Sequence, residues 1–567
     1  MQISVFKKVI FVFTLFLFLT GPIAVSAAQV GESQRFYVAK EYDLKEREQI
    51  TATLRKMTPQ LYFYIDDDWW DTLLISEKEK KLEALSQLSN EFETKIYPTM
   101  TSLYGTEWKP GIDKDERITI LIQQMQEKAG GYFNEGDEYS QSVVSNSNER
   151  EMIYLNSRNV ESNLMKSYLS HEFTHLITFN QKDKKQGVTE EIWLNELRAE
   201  YSPTLLGYDS EFEGSNLEQR VKIFITNPSD SLTEWKGKKA DYGVTNLFGQ
   251  YVVDHYGVKI LADSLKSKEV GIPSINYALK KNKISEDFSQ IFANWTITVV
   301  TNNCSFGENF CHKNSNLKEL KISPLANFLP LMGESTISVS DTTTNWTGNW
   351  YKIIGGKDIL KFEFSTNPEL KFKVPYIIEN LNGSLTFDYL ELKDSQGQIF
   401  VPDFNKKNIS LTFIPFLQNK TFGFNGEEKS FPFTWKTSTV KWMPEEEERL
   451  IAKLKEKVAF LQAEIVRVQA EIDEIKRKLY PKFERDLYFG LKNDSDVERL
   501  QKFLKSQGSD IYPEGLVTGN YLNLTKAAVI KFQEKHFEEI LQPLGLREGT
   551  GYFGSATRAL ANKLITP

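Results

Sequence analysis

The chain has 567 residues, a formal charge of −8, 40% hydrophobic residues and 13% aromatic residues. That length exceeds one compact core and predicts several domains, and the apolar content excludes a disordered chain. The acidic balance argues against nucleic-acid binding, which rests on a basic footprint.

The chain opens MQISVFKKVIFVFTLFLFLTGPIAVSAAQ: Lys7 and Lys8, an apolar run from Val9 to Leu19, Gly21-Pro22, then Ser26, Ala27 and Ala28. This order predicts a secretory signal peptide over residues 1–27, the apolar run being short for a membrane span. Its removal takes the charge to about −10. The expected location is secreted or at the cell envelope. No cysteine follows to carry a lipid, and no later stretch is apolar enough to cross a bilayer.

Residues 28–95 mix helical periodicity with the aromatic run QLYFYIDDDWWDTL, which reads as a strand ending in an acidic turn. They form either the first part of the next unit or a removable pro-segment. Over 96–322, RITILIQQM, GGYFN and EMIYLN read as strands, and helical spacing dominates from Ser162 onward. Strands followed by helices predict an α+β unit. Asp113 and Asp115 in GIDKDERITI read as a solvated turn rather than a calcium site. Cys304 and Cys311, the only two cysteines, read as a disulfide closing a small loop of an exported chain.

From 323 to 443 short, alternating, aromatic-rich runs such as ILKFEF and SLTFDYLEL predict a β-sandwich. Over 444–481 the apolar residues from Ile451 to Leu479 alternate steps of three and four between Pro444 and Pro481. This spacing predicts a coiled-coil stalk through which the chain would form a homo-oligomer, dimer or trimer, with a helical hairpin arm packed on the body as the alternative. Residues 482–567 contain an internal echo, TGNYLNLTKAA from Thr518 and TGYFGSATRAL from Thr550. With Asp496, Leu500, Gln501, Phe532 and Gln533 in the helical runs, this segment resembles the three-helix peptidoglycan-binding domains of exported bacterial enzymes. The resemblance implies a cell-wall partner, with Leu522 standing where such domains usually have glycine.

The segment LSHEFTHLITFNQ holds two of the five histidines in the chain. On a helix, His171 and His175 share one face and can present two imidazoles to one ion, while Glu172 beside them can reach a water at that ion. A core helix with two surface histidines is the alternative. A catalytic zinc site needs a third protein ligand, and downstream lies EEIWLNELRAEYSPTLLGY.

HEFTH followed by Asn195-Glu196 resembles the gluzincin metallopeptidases, the thermolysin-like group, and among them exported bacterial enzymes of the hyicolysin type. The resemblance implies an α+β zincin-like catalytic domain with one Zn2+ held by His171, His175 and Glu196. Glu172 would act as general base on a zinc-activated water, and Glu200, a turn on, would hold a ligand histidine beside Asn195. Glu190 and Glu191 read as helix-start charges. Leu197-Arg198, where such enzymes commonly have glycine after the glutamate, implies a bulkier cleft wall. Tyr242 in ADYGVTNLFGQYVVDHYG is similar to the oxyanion tyrosine of zinc aminopeptidases, with His255 as competitor.

Gly130, Gly131 and Tyr132 suit backbone pairing with an extended peptide. Phe133 stands where the aminopeptidases carry the glutamate that holds a free amine, which favours internal cleavage of a protein or peptide substrate. The expected function is therefore an exported zinc endopeptidase held at the envelope by its C-terminal domain. A peptidase for wall cross-links and a non-catalytic surface stalk or adhesin remain the alternatives.

Overall fold

A computed structural model describes residues 28–421, 424–441, 444–479 and 481–565. The signal peptide expected over 1–27 lies outside the described residues. Two compact units divide the chain, one ending at Lys441 and the other beginning at Trp442.

The first unit is built on a six-stranded sheet. Its strands are β1 (Ser33–Tyr37), β2 (Gln49–Met57), β3 (Leu61–Asp66), β4 (Ile118–Gln123), β5 (Gly131–Tyr132) and β6 (Met152–Asn156), in the order β1-β2-β3-β4-β6-β5. β3, β4 and β6 run parallel, and β5 closes one edge antiparallel to β6. Parallel strands are covered on both faces and read as continuous apolar runs; LYFYID and ITILIQ are buried at every position. Phe63, Ile65, Ile120 and Ile122 face the helices, while Tyr62, Tyr64, Leu121 and Tyr154 pack with Phe36 in a second core.

Residues 28–95 supply three of the six strands and the helix Ile75–Glu91. β3 lies inside the sheet and pairs with β4 over Leu61–Ile65, so its excision would expose both cores. The N-terminal strands are part of the fold.

The helices of this unit include α1 (Ile75–Glu91), α2 (Met165–Phe179), α3 (Ile192–Leu205), α4 (Asn216–Thr226), α5 (Lys239–Tyr256) and α6 (Phe288–Thr301). α2 packs on α3, and α5 packs against both α3 and α4. A disulfide joins Cys304 to Cys311, with Cα atoms 5.0 Å apart.

Strands between Leu325 and Val440 form a nine-stranded β-sandwich-like part around Phe362, Phe364, Phe413, Phe433 and Trp435. It shares a core with the helical part: the Trp350 indole N–H donates to the Thr296 carbonyl at 2.8 Å, and the Phe416 ring lies 4.9 Å from that of Phe292. The expected boundary at 322/323 is thus a change of texture inside one compact unit.

The second unit holds the long helix α7 (Pro444–Leu479) and a small domain of three main helices, α8 (Ser495–Ser506), α9 (Asn523–Lys535) and α10 (Ser555–Ile565). Leu500, Leu504, Val529, Phe532 and Phe553 form its core. The sequence echo is a structural one. Gln501 accepts from the Gly519 amide at 3.0 Å and donates to Thr525; Gln533 accepts from the Gly551 amide at 3.0 Å and donates to Thr557. Gly519 and Gly551 have φ of +69° and +68°, a conformation that glycine adopts without steric cost. No helix among the described residues is long and apolar enough to cross a membrane.

Candidate metal centre

α2 directs Leu169, Phe173 and Ile177 into the core and leaves His171 and His175, one turn apart, along its other side. Their ring centroids are 5.0 Å apart. α3 crosses beside them and brings Glu196 Oε2 to 3.3 Å from His171 Nε2 and Oε1 to 3.8 Å from His175 Nε2. One donor atom from each of the three residues lies within 4.8 Å of the others, the only such group of three or more among the described residues.

Two observations test whether these residues suit a cation. Glu196 Oε2, 3.3 Å from His171 Nε2, is buried with no hydrogen-bond partner, and Asn195 Oδ1 is buried without one as well. Three carboxyl groups, Glu172, Glu196 and Glu200, also crowd the two histidines, and of the three only Glu200 is met by a guanidinium, that of Arg220. A divalent ion would offset that excess, because buried charges need partners. Two imidazoles and a carboxylate form a set that zinc accepts, with a position left open.

The protonation equilibria reflect the same crowding. Burial opposes the charge on His171, but Glu196, Glu172 and Glu200 outweigh it and hold this imidazole at about 9. Burial pushes the Glu172 carboxyl up to about 7, opposed by His171 and reinforced by Glu196 and Glu200. Burial lowers His175. Tyr242 is raised strongly, by burial first and then by Glu196 and Glu200.

Glu200 is fully buried and its Oε1 lies 3.4 Å from His171 Nδ1. Arg220 of α4 grips it with two hydrogen bonds, and Asn216 and Asn246 each donate to Oε2 at 3.2 Å. These three partners carry no signal in the sequence, because α4 and α5 are brought to Glu200 only by packing. Tyr242 stands at the start of α5 with the Arg220 guanidinium 4.7 Å from its ring centre and Trp235 edge-on. His255 lies thirteen residues further along α5, about 20 Å at the helical rise, and bonds the Cys311 carbonyl at 2.8 Å. It belongs to the disulfide loop and not to this site.

β5 runs beside the centre as an edge strand. The Phe133 amide lies beside the Glu172 carboxyl and favours its charged form. A Cβ on Gly131 would stand 2.6 Å from the Tyr154 carbonyl oxygen and 3.2 Å from Glu172 Cγ, and one on Gly130 would meet the Tyr168 ring at 2.6 Å. Only glycines admit this close approach. The Tyr132 ring stacks between Tyr42 and Tyr154 at 4.7 and 4.1 Å, on the far face of the sheet. Only its backbone can meet a peptide. The Phe133 ring instead faces the centre, 6.4 Å from that of His175. Tyr42, from the N-terminal region, feels Glu172 and Glu196 after burial, and both raise its phenol.

Two neighbours of Glu196 also differ from expectation. Leu197 and Arg198 are buried, and Arg198 bonds Glu190, Ser264 and the Leu261 carbonyl; neither forms a cleft wall. Glu190 is correspondingly a buried ion-pair partner of Arg198 and Lys182 rather than a helix-start charge. Asp115 pairs with Arg117 at 3.1 Å and accepts from the Tyr62 hydroxyl, as a turn residue does.

Comparison with known proteins adds one assignment. Residues 493–539 match a family described as putative peptidoglycan binding domain. This supports a cell-wall partner for the C-terminal domain and fits a secreted or envelope-associated protein. No curated protein matches the chain. Among solved structures, the pre-peptidase C-terminal domain of collagenase from Bacillus anthracis is similar over 20% of this chain and 96% of its own, at 5% identity and a TM-score of 0.15. PliG of Aeromonas hydrophila, a periplasmic inhibitor of g-type lysozyme, is similar over 20% of this chain and 98% of its own, at 10% identity and a TM-score of 0.13. At those scores neither likeness bears on function.

Proposed function

We propose that this protein is an exported zinc-dependent metalloendopeptidase, attached to the cell wall through its C-terminal domain. The observation that carries the reading is the convergence of His171, His175 and Glu196 within 4.8 Å, with Glu172 on the adjoining helix position. These three residues would hold the zinc ion, whose contribution is to polarise a peptide carbonyl and acidify water.

The chain's own groups supply the remaining work. Glu172, one position along the helix from His171 and raised by burial, takes a proton from the attacking water and delivers it to the leaving amine nitrogen as the C–N bond breaks. Tyr242 holds its phenol proton at any physiological pH and can donate it as a hydrogen bond to the oxygen on which charge develops. β5 offers an unpaired edge to an extended substrate, and Phe133 puts an apolar ring where a free amine would need a carboxylate. Internal bonds are therefore the expected targets.

The test is metal analysis paired with digestion of a peptide library and of wall sacculi by wild type and Glu172→Gln. The expected result is zinc in both proteins and peptide cleavage by wild type alone. Pure wild type that holds no zinc, and takes none up, would overturn the reading. Cleavage of sacculi with no activity on peptides or proteins would replace it with a wall cross-link peptidase.

A further inference from the structure

The apolar residues of α7 lie on an open face. Ile451, Val458, Ile465 and Ile472 form one row, and Leu454, Leu461, Val468 and Ile475 form the next. All eight are between 38% and 66% exposed. They alternate steps of three and four without a break over about 36 Å of helix, and no polar residue interrupts either row.

We propose that α7 pairs along this seam with α7 of a second copy of this chain, as a two-stranded coiled coil. Length is the first argument. A seam of this reach needs a helical partner equally long, and among the described residues the next longest helix, α5, has 18 residues and is largely buried. Among the described residues, a second α7 is the only partner of matching length that this chain offers. Side-chain shape is the second. The first row is β-branched throughout, and over the N-terminal half it faces Leu454 and Leu461, the combination that favours two strands. Phe460, equally exposed, lies off the seam.

The pairing does not depend on the peptidase reading. Light scattering on the full chain at tens of micromolar should give twice the single-chain mass. Leu461→Lys combined with Ile465→Lys should raise the dissociation constant at least about a hundredfold and return the single-chain mass. Phe460→Lys should leave the double mass in place, and circular dichroism should show all three proteins equally folded. A single-chain mass for wild type overturns the proposal. So does a trimeric mass, or a doubled mass that survives the two lysines.

Discussion

Arg220 grips Glu200 through two hydrogen bonds, 2.7 Å from Nε to Oε2 and 2.6 Å from Nη2 to Oε1. Glu200 in turn stands 3.4 Å from Nδ1 of His171, so an arginine on α4 fixes the orientation of a candidate ligand on α2. A bidentate guanidinium–carboxylate pair is both stronger and more directional than a single contact. The same guanidinium lies against the ring of Tyr242, which ties the two sides of the centre together.

Removing either member of that pair should loosen the metal without unfolding the unit. Arg220→Ala and Glu200→Ala are each expected to weaken zinc binding about 10–100-fold, read by competition with a chromogenic chelator. Arg220→Lys should restore only part of the loss, because an ammonium cannot make two parallel bonds. Zinc affinity unchanged in Arg220→Ala would show that Glu200 holds His171 unaided.

Tyr242 and His255 occupy one helix and should behave oppositely. Tyr242→Phe removes a buried donor at the centre and is expected to lower kcat about 10²–10³-fold with zinc content unchanged. His255→Ala should leave kcat intact and lower only thermal stability, since its partner is the Cys311 carbonyl. Steady-state kinetics on one peptide substrate separates the two, and equal effects would contradict the placement.

Gly131→Ala tests how close β5 must lie to the centre. The added methyl would meet the backbone oxygen of Tyr154 at 2.6 Å and press on Glu172 Cγ at 3.2 Å. Strand β6 cannot yield without moving the sheet, so turnover should fall at least tenfold while zinc stays bound. Wild-type kinetics in this variant would mean that the edge strand has slack.

Away from the centre, Glu138 and Glu151 form a buried carboxyl pair. Burial raises both; Glu151 and Asp137 add to the rise at Glu138, while Asp113 adds to that at Glu151, which stands at about 7 although Glu138 opposes the shift. A folded pKa above the unfolded value of roughly 4.3 means that the native state binds the extra proton. The stability contribution is therefore full below about pH 4.3 and is lost as pH rises through about 7. Glu138→Gln removes the charge that burial penalises. It is expected to raise the melting temperature relative to wild type at pH 8 and to leave it nearly unchanged at pH 5. Denaturation at the two pH values checks the sign, and a variant less stable than wild type at pH 8 contradicts it.

What the sequence determined by itself was local. HEFTH on a helix puts His171, Glu172 and His175 together because i and i+4 share a face, and the seam of α7 and the echo around Thr518 and Thr550 arise from spacing alone. The buried runs LYFYID and ITILIQ are legible as strands for the same reason, since their chemistry is written in consecutive residues. Tertiary structure decided what depends on distant segments meeting. It set Arg220, Asn216 and Asn246 around Glu200, turned Tyr132 to the far face while leaving Phe133 at the centre, and buried Arg198 against Glu190. It also placed residues 28–95 inside the sheet and moved His255 out of the site. In each case the deciding interaction joins residues from different elements, and periodicity within one element carries no information about which neighbour it will meet.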